Sequence, residues 1–193
     1  MSAVLAPSGA PAPYRIHRYP SMLIDRVTLA DGRVVTLRPV LPQDADAEQA
    51  FVGGLSPHSR RLRFHGAVNR LPDSLLQAMT AIDYEHHLAL IAEAIDDDDG
   101  GVRLVGDARY VVDEAGGAEF AVAIADDWQH IGLGSAMLKR LGRHARRQGL
   151  KHLEGVVLTG NGPMLALMKR WGASLRPDPE DADVMIATLG CVN

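Results

Sequence analysis

The sequence predicts an α/β (α+β) domain in which a mixed, mostly antiparallel central sheet is flanked by helices. Two observations lead to this fold class. Segments that alternate like strands are separated by segments with helical spacing, in the order strand, helices, three strands, helix, strand, helix, strand. A strand, a glycine turn and the start of a helix also follow one another directly between Ala118 and Gly149.

Composition and charge limit the possible classes of protein. The chain has 193 residues, a net charge of −4 and 47% hydrophobic residues, enough for one core. We expect a tail over residues 1–20 and a single domain over residues 21–193. The balanced charge predicts no nucleic-acid partner, and no apolar run is long enough for a membrane span. The Ala/Pro/Gly-rich start lacks the pattern of a signal peptide, which favours a cytoplasmic protein. The single cysteine, Cys191, excludes an internal disulfide framework and lies too near the end to suggest a nucleophile.

The first half of the chain predicts short strands and helices. Two strands over residues 27–39 are joined by an Asp-Gly turn, and Pro39 ends the second. Three short helices follow, over residues 44–52, from Ser56-Pro57 to about residue 63, and over residues 72–80 with Asp73 or Ser74 as the cap. Arginines of the second helix indicate a solvated basic face or, as an alternative, a surface that steers an anionic partner: Arg60, Arg61 and Arg63.

Two further strands are predicted over residues 87–94 and 102–112. The acidic run Asp96 to Asp99 between them indicates a solvated turn, because it lacks the alternating ligands of a calcium-binding loop. His86 and His87 point to opposite faces of a strand, so we expect one to pack and one to meet solvent, and we predict no metal site. An acceptor channel lined by Asp83, Tyr84 and His86 remains an alternative role for this segment.

The central strand and the helix after it give the strongest pattern. Over residues 118–125, one face carries Phe120, Val122 and Ile124, and the other carries Glu119, Ala121 and Ala123. From Leu133 the spacing becomes helical, and Gly149 ends the helix. The apolar stripe comprises Leu133, Met137, Leu138, Leu141 and Ala145, and the solvent face comprises Lys139, Arg140, Arg143, Arg146 and Arg147.

The turn from Gln129 to Gly134 predicts an anion site. Its glycines allow close approach, and the first N–H groups of the helix lack partners, which suits a pyrophosphate. The alternative is that the glycines only permit a tight turn. A dinucleotide site would need a third glycine where Met137 stands, and the Lys-Ser/Thr ending of a P-loop is absent.

The pattern Q-x-x-G-x-G at Gln129 resembles the acetyl-CoA motif of the GNAT N-acyltransferase superfamily. The stretch from Asn161 to Ala173 resembles its second motif, N-x-x-A-x-x-L-Y-x-x-x-G-F, but Met168 replaces the tyrosine that protonates the departing thiolate in many members. The resemblance spans residues 34–189 and implies a GNAT fold with the sheet splayed at the cofactor strand and acetyl-CoA as cosubstrate. It implies a cofactor site formed by Val122, Ala123, Ile124, Gln129, His130, Ile131, Gly132, Leu133, Gly134, Ser135 and Asn161.

The segments LRPVLPQD, SPHSRRLRF, AMTAIDYEHHLALIAE and AEFAVAIADDWQHIGLG resemble more closely the GNAT domain of bacterial protein lysine acetyltransferases that modify acyl-CoA synthetases. This resemblance implies direct acetyl transfer to a protein lysine, with the synthetase as the partner. A small-molecule amine acceptor and a non-catalytic acyl-CoA sensor are the alternatives.

Glu119 is the predicted general base. A lysine is about 3.4 pKa units from its neutral form at pH 7, a cost of about 4.6 kcal/mol, so a base assists directly. Glu119 stands ten residues before Gln129 among alanines, in a setting that raises the pKa of a carboxylate. The alternative is a strand glutamate that reaches solvent or pairs with an arginine.

Overall fold

A computed structural model describes residues 19–66, 68–95 and 100–191. The strands in these ranges are β1 Asp25–Thr28, β2 Val34–Pro39, β3 His87–Ile95, β4 Val102–Val112, β5 Ala118–Ile124, β6 His152–Leu158, β7 Ser174–Pro177 and β8 Val184–Gly190. The helices are α1 Ala45–Gly54, α2 Pro57–Phe64, α3 Asp73–Thr80, α4 Leu133–Arg147 and α5 Gly162–Arg170. The predicted tail up to residue 18 and the acidic run Asp96 to Asp99 lie outside the described residues.

The strands form one sheet in the order β1-β2-β3-β4-β5-β6-β8-β7. Every neighbouring pair is antiparallel except β5 and β6, which are parallel. The predicted mixed, mostly antiparallel sheet is therefore confirmed.

The sheet opens between β5 and β6. Their pairing covers only Ala118 with Leu153 and Glu119 with Glu154. On its other side, β5 stays paired with β4 as far as Ile124 opposite Gly106. The two parallel strands therefore diverge beyond Glu119, which confirms the splay. Beyond that point no strand in the described residues pairs with this edge of β5.

Helices cover both faces of the sheet. The predicted stripe of α4, from Leu133 to Ala145, is buried against one face. Met137 comes so close to the sheet there that a Cβ added to Gly106 would lie 2.8 Å from its Sδ atom. Arg109, on the opposite face, donates to the Met79 carbonyl in α3 and contacts Glu48 in α1. The sheet thus lies between α4 and a layer that contains α1 and α3.

The helix ends agree with the sequence except in α3. Ser56 caps α2 by accepting a hydrogen bond from the Ser59 N–H at 3.1 Å, and Gly149 follows α4 with a φ of 76°. The prediction that Asp73 or Ser74 caps α3 was wrong, because Pro72 holds the cap position and no side chain caps the helix. The Asp73 carboxylate instead lies 3.6 Å from the Arg70 guanidinium. No helix in the described part of the chain is both long and apolar enough to cross a membrane.

Candidate active site

A cleft of about 620 Å³ opens along the edge of β5 that β6 leaves free. The β5 edge, the turn before α4, the start of α4 and the helices α2 and α5 form its walls. Most of the predicted cofactor residues line it: Val122, Ala123, Ile124, Gln129, His130, Gly132, Gly134, Ser135 and Asn161. The structure therefore brings together residues that are up to 39 positions apart in the sequence.

The turn before α4 presents a run of free backbone donors. Within the described residues, the N–H groups of residues 130–135 have no hydrogen-bond acceptor, and the first bond into the helix runs from Ala136 N–H to the Gly132 carbonyl at 2.9 Å. His130 and Gly132 adopt positive φ angles of 63° and 95°. Left-handed residues within such a turn point successive N–H groups into one concavity, which favours an anion at the positive end of the helix dipole.

Two predicted residues of this turn contribute no side chain to the cleft. Leu133 is 1% exposed and packs in the core. Ile131 accepts a hydrogen bond from Ala30 N–H through its carbonyl and packs partly against the core. Only their backbone N–H groups are therefore available to a ligand.

Gln129 braces the turn. Its side-chain amide donates to the Ile124 carbonyl at 3.1 Å and to Ser59 Oγ at 3.2 Å. Asp126 strengthens the same connection by accepting from the Ser56 N–H and from both serine hydroxyls. These bonds fix the turn against the end of β5 and against the start of α2.

The hydrogen-bond parity of β5 decides which of its amides face the gap. Ala125 N–H donates to the Val105 carbonyl in β4, and Asp113 N–H donates to the Gly117 carbonyl. Each of these two residue pairs is therefore a hydrogen-bonded pair of the antiparallel ladder. Amides alternate between the two edges of a strand. Val122 and Ile124 therefore point their N–H groups toward β6 and the cleft, whereas the N–H of Ala123 points toward β4. The backbone N–H of Ala123 is therefore directed away from the cleft, although the residue lines it.

Helix α5 forms the other wall of the cleft. Asn161 caps it, with Oδ1 accepting from Met164 N–H at 3.2 Å, and Pro163, Met164 and Leu167 line the cleft. Met168, at the position of the family tyrosine, is fully buried and does not line the cleft. The helix therefore offers no acid at that position.

Glu119 lies in a small cavity of about 40 Å³ that adjoins the cleft. Its partner across the parallel pair is Glu154, so two carboxylates stand side by side where the strands begin to part. Burial raises the pKa of Glu119, the positive charge of Arg63 lowers this pKa, and Glu154 raises it further. A carboxylate with a raised pKa beside a cleft has the properties of a general base.

The alternative acceptor residues Asp83, Tyr84 and His86 line neither cavity. Asp83 accepts from the N–H groups of the three residues from Glu85 to His87, and His86 is exposed beside it. Tyr84 is buried and donates its hydroxyl to the Val40 carbonyl at 2.8 Å. The segment therefore shapes the start of β3. As predicted, one of the two histidines meets solvent and the other packs: His86 is exposed, whereas burial lowers the pKa of His87 to about 3.

The sequence reasoning missed two residues of the Glu119 cavity, Arg63 and His65. Arg63 does not lie on a solvated face as expected, because its side chain is only 8% exposed and its Nη2 lies 3.9 Å from Asp107. His65 ends α2 with a φ of 54°, and burial and Arg63 lower its pKa. Only the segment SPHSRRLRF as a whole signalled that this region matters. Among the described residues, no cluster of three or more His, Cys, Asp or Glu side chains is placed to hold a metal.

Comparisons with known proteins agree with this geometry. The model of a family described as an acetyltransferase (GNAT) domain matches residues 35–174. Acetyltransferase PA5475 of Pseudomonas aeruginosa is 36% identical over 163 residues, which cover 84% of this chain and 87% of that protein. Acetyltransferase Pat of Mycolicibacterium smegmatis is 31% identical over 151 residues, which cover 76% of this chain but 43% of Pat.

Solved structures show the same fold. The GNAT domain of S. lividans PAT matches with a TM-score of 0.79 over 90% of this chain and 99% of that chain, at 24% identity. The cAMP-binding acyltransferase from Mycobacterium smegmatis matches with a TM-score of 0.60 and 26% identity, over 90% of this chain and 49% of that chain. The splayed sheet, the turn of free amides and the family match lead to one conclusion: this chain belongs to the GNAT acetyltransferase family.

Proposed function

We propose that this GNAT acetyltransferase transfers the acetyl group of acetyl-CoA directly to a lysine side chain of a protein, with Glu119 as the general base. The observation that carries the proposal is the position of Glu119, whose small cavity opens beside the cleft that holds the free amides. Acetyl-CoA supplies an activated acyl group as a thioester. Residues of this chain supply the hydrogen-bond donors and the general base.

The cleft fits acetyl-CoA at two places. The N–H groups of residues 130–135 form a concavity for the pyrophosphate, and a bulky side chain at Gly134 would obstruct it. Val122 and Ile124 present N–H groups from the open edge of β5, where they pair with the pantetheine arm and donate to the thioester carbonyl. These donors need no rearrangement, because no strand competes for them.

Glu119 moves the proton. The acceptor arrives as an ammonium and must lose a proton before its nitrogen can attack, which costs about 4.6 kcal/mol at pH 7 for an unperturbed lysine. Glu119 takes that proton, and burial brings its pKa closer to that of the amine. The neighbouring carboxylate of Glu154 already pairs with Arg176 at 3.6 Å, so Glu119 is the one assigned as the base.

The size of the Glu119 cavity favours a protein acceptor over a small molecule. Pockets that enclose small ligands measure about 300–1,000 Å³. The cavity of about 40 Å³ has room for the end of a narrow chain, and a larger acceptor extends beyond it. A lysine side chain brings its ammonium in on an unbranched stem, with the rest of the acceptor outside. Together with the resemblance to protein lysine acetyltransferases, this favours a protein such as an acyl-CoA synthetase.

The proposal is tested by incubating an acyl-CoA synthetase with the enzyme and acetyl-CoA, then measuring thiol release and locating modified lysines by mass spectrometry. We expect one dominant lysine, modified by the parent protein and by Glu85→Gln, but not by Glu119→Gln. Glu85 is a matched control because it is exposed and lines neither the cleft nor the Glu119 cavity. Scattered modification equal to an enzyme-free sample would contradict the protein acceptor, and thiol release with small amines alone would replace it with a small-amine acceptor.

A further inference from the structure

We propose that Arg63 stabilises the thiolate that leaves during acyl transfer, in place of the acid that a tyrosine supplies in related enzymes. This inference rests on the proposed acyl transfer. It assigns a role to a side chain that the sequence placed on a solvated surface.

Arg63 lies where the cleft and the Glu119 cavity meet. The cleft and the Glu119 cavity share Leu62, Arg63, Val122, Asn161 and Met164. The anion-binding turn lies in the cleft and the base lies in the cavity, so the reacting thioester has to lie where the two spaces meet. Arg63 is the only one of the shared residues that carries a charge.

One buried nitrogen of Arg63 has no acceptor among the described residues. This nitrogen is Nε, and the Arg63 side chain is 8% exposed. Leaving a buried charged donor unpaired is costly, so such groups in a cavity point to a ligand. Asp107 lies 3.9 Å from Nη2, but it already binds Arg109 through both oxygens, at 2.9 and 3.0 Å. Asp107 therefore does not fully neutralise the Arg63 guanidinium, whose positive charge acts on the cleft.

The charges around Arg63 come from three other elements. Asp107 and Arg109 face it from β4, Glu48 from α1 and Glu119 from β5. Burial and Arg109 lower the pKa of Arg63, whereas Asp107 and Glu48 raise it. An arginine remains protonated in such surroundings, so the guanidinium stays a fixed cation throughout the reaction.

The departing thiolate needs a stabilising group, because the position of the family tyrosine offers no acid. Met168 stands where related enzymes carry the acid, and it is fully buried. Glu119 passes the first proton of the ammonium on to solvent; when the neutral amine nitrogen then forms the new C–N bond, the C–S bond breaks with its electron pair staying on sulfur, and the second proton from nitrogen passes to Glu119. The departing sulfur therefore carries a full negative charge. A fixed cation at the junction stabilises this charge without donating a proton.

The test measures the pKa of the thiol of bound coenzyme A, the product, from the ultraviolet absorbance of its thiolate. Desulfo-coenzyme A serves as the blank and cancels any signal from Cys191. An opposite charge within a few ångströms lowers a pKa by about 1–3 units. We expect a shift of this size, relative to free coenzyme A, in the parent protein. In Arg63→Met the thiol pKa returns to the free value, and Arg63→Lys retains part of the shift. Arg61→Met, on an exposed position of the same helix, behaves as the parent.

Arg63→Met is expected to fold, because Asp107 keeps both of its bonds to Arg109. Arg63→Lys provides the comparison if it does not. An unchanged thiol pKa in a folded Arg63 variant would overturn the inference. A parent protein that neither binds coenzyme A nor releases thiol would instead refute the proposed function, so the two failures are distinguishable.

Discussion

Two glycines of α4 allow coenzyme A binding to be separated from folding. Gly134 lies in the first turn of α4 and lines the cleft, whereas Gly142 lies two turns further along the same helix and outside the cleft lining. A Cβ at Gly134 would meet Ile124 Cγ1 at 3.6 Å, an ordinary contact, and a Cβ at Gly142 would meet nothing within 4 Å. Neither glycine has a positive φ. Both positions therefore accept alanine without strain in the protein.

The two substitutions differ only in their effect on the ligand. Replacing a helical glycine by alanine stabilises a protein by about 0.5–1 kcal/mol, which raises Tm by about 1–4 °C in a chain of this size. At Gly134 the new methyl group also stands between the free N–H groups and the pyrophosphate. Losing one hydrogen bond to a charged group costs about 1.5–3 kcal/mol, which weakens binding about 10- to 100-fold.

Titration calorimetry with acetyl-CoA and thermal unfolding check this prediction together. We expect Gly142→Ala to bind as the parent does and Gly134→Ala to bind about 10- to 100-fold more weakly, while Tm rises or stays level in both. Gly134→Val should weaken binding further. If both Gly134 variants bound acetyl-CoA as tightly as Gly142→Ala, the pyrophosphate would not lie at this turn.

Three further changes test the site and its supports. Glu119→Gln should lower turnover at pH 7 by about 10²- to 10⁴-fold, and the deficit should narrow at alkaline pH, where more of the amine is neutral; parental turnover at every pH in rate measurements would exclude this base. Burial raises the pKa of Glu48 to about 8 in the folded state from an ordinary value of 4.5, so the folded protein binds a proton there that the unfolded chain loses across this range. The stability of the parent relative to Glu48→Gln should therefore fall from pH 5 to pH 8 in urea unfolding, whereas equal slopes would contradict the raised pKa. Asn161→Ala removes the bond to Met164 N–H and should cost about 1 kcal/mol, seen as a Tm lower by about 2–4 °C.

The sequence was sufficient for the segment from β5 to α4. The alternation of Glu119 and Phe120 and the helical spacing from Leu133 are local patterns, and the glycines between these two segments indicate a turn. The end of α4 at the left-handed Gly149 is also local, and it was predicted correctly. Features that depend on neighbours within a few positions are readable from the chain alone.

Features that depend on distant partners were not readable. Arg63 looks like part of a polar helix face, because α2 has few apolar residues, but its place is set by Asp107 on β4. The direction of the Ala123 amide depends on which strand pairs with which edge of β5. The cap of α3 is a local feature that was nevertheless predicted wrongly, because Pro72 holds the cap position in place of Asp73 or Ser74.

One register of β5 serves both halves of the proposed chemistry. Side chains alternate between the two faces of a strand, and N–H groups alternate between its two edges. Glu119 therefore presents its carboxylate on the face that α2 covers, while Val122, three residues later, presents its N–H at the open edge. A shift of β5 by one residue against β4 would move the carboxylate to the α4 face and turn the Val122 N–H toward β4. The pairing of β5 with β4 therefore positions both the Glu119 carboxylate and the Val122 N–H that donates to the thioester carbonyl. Both groups are accessible because β6 diverges from β5 just beyond Glu119.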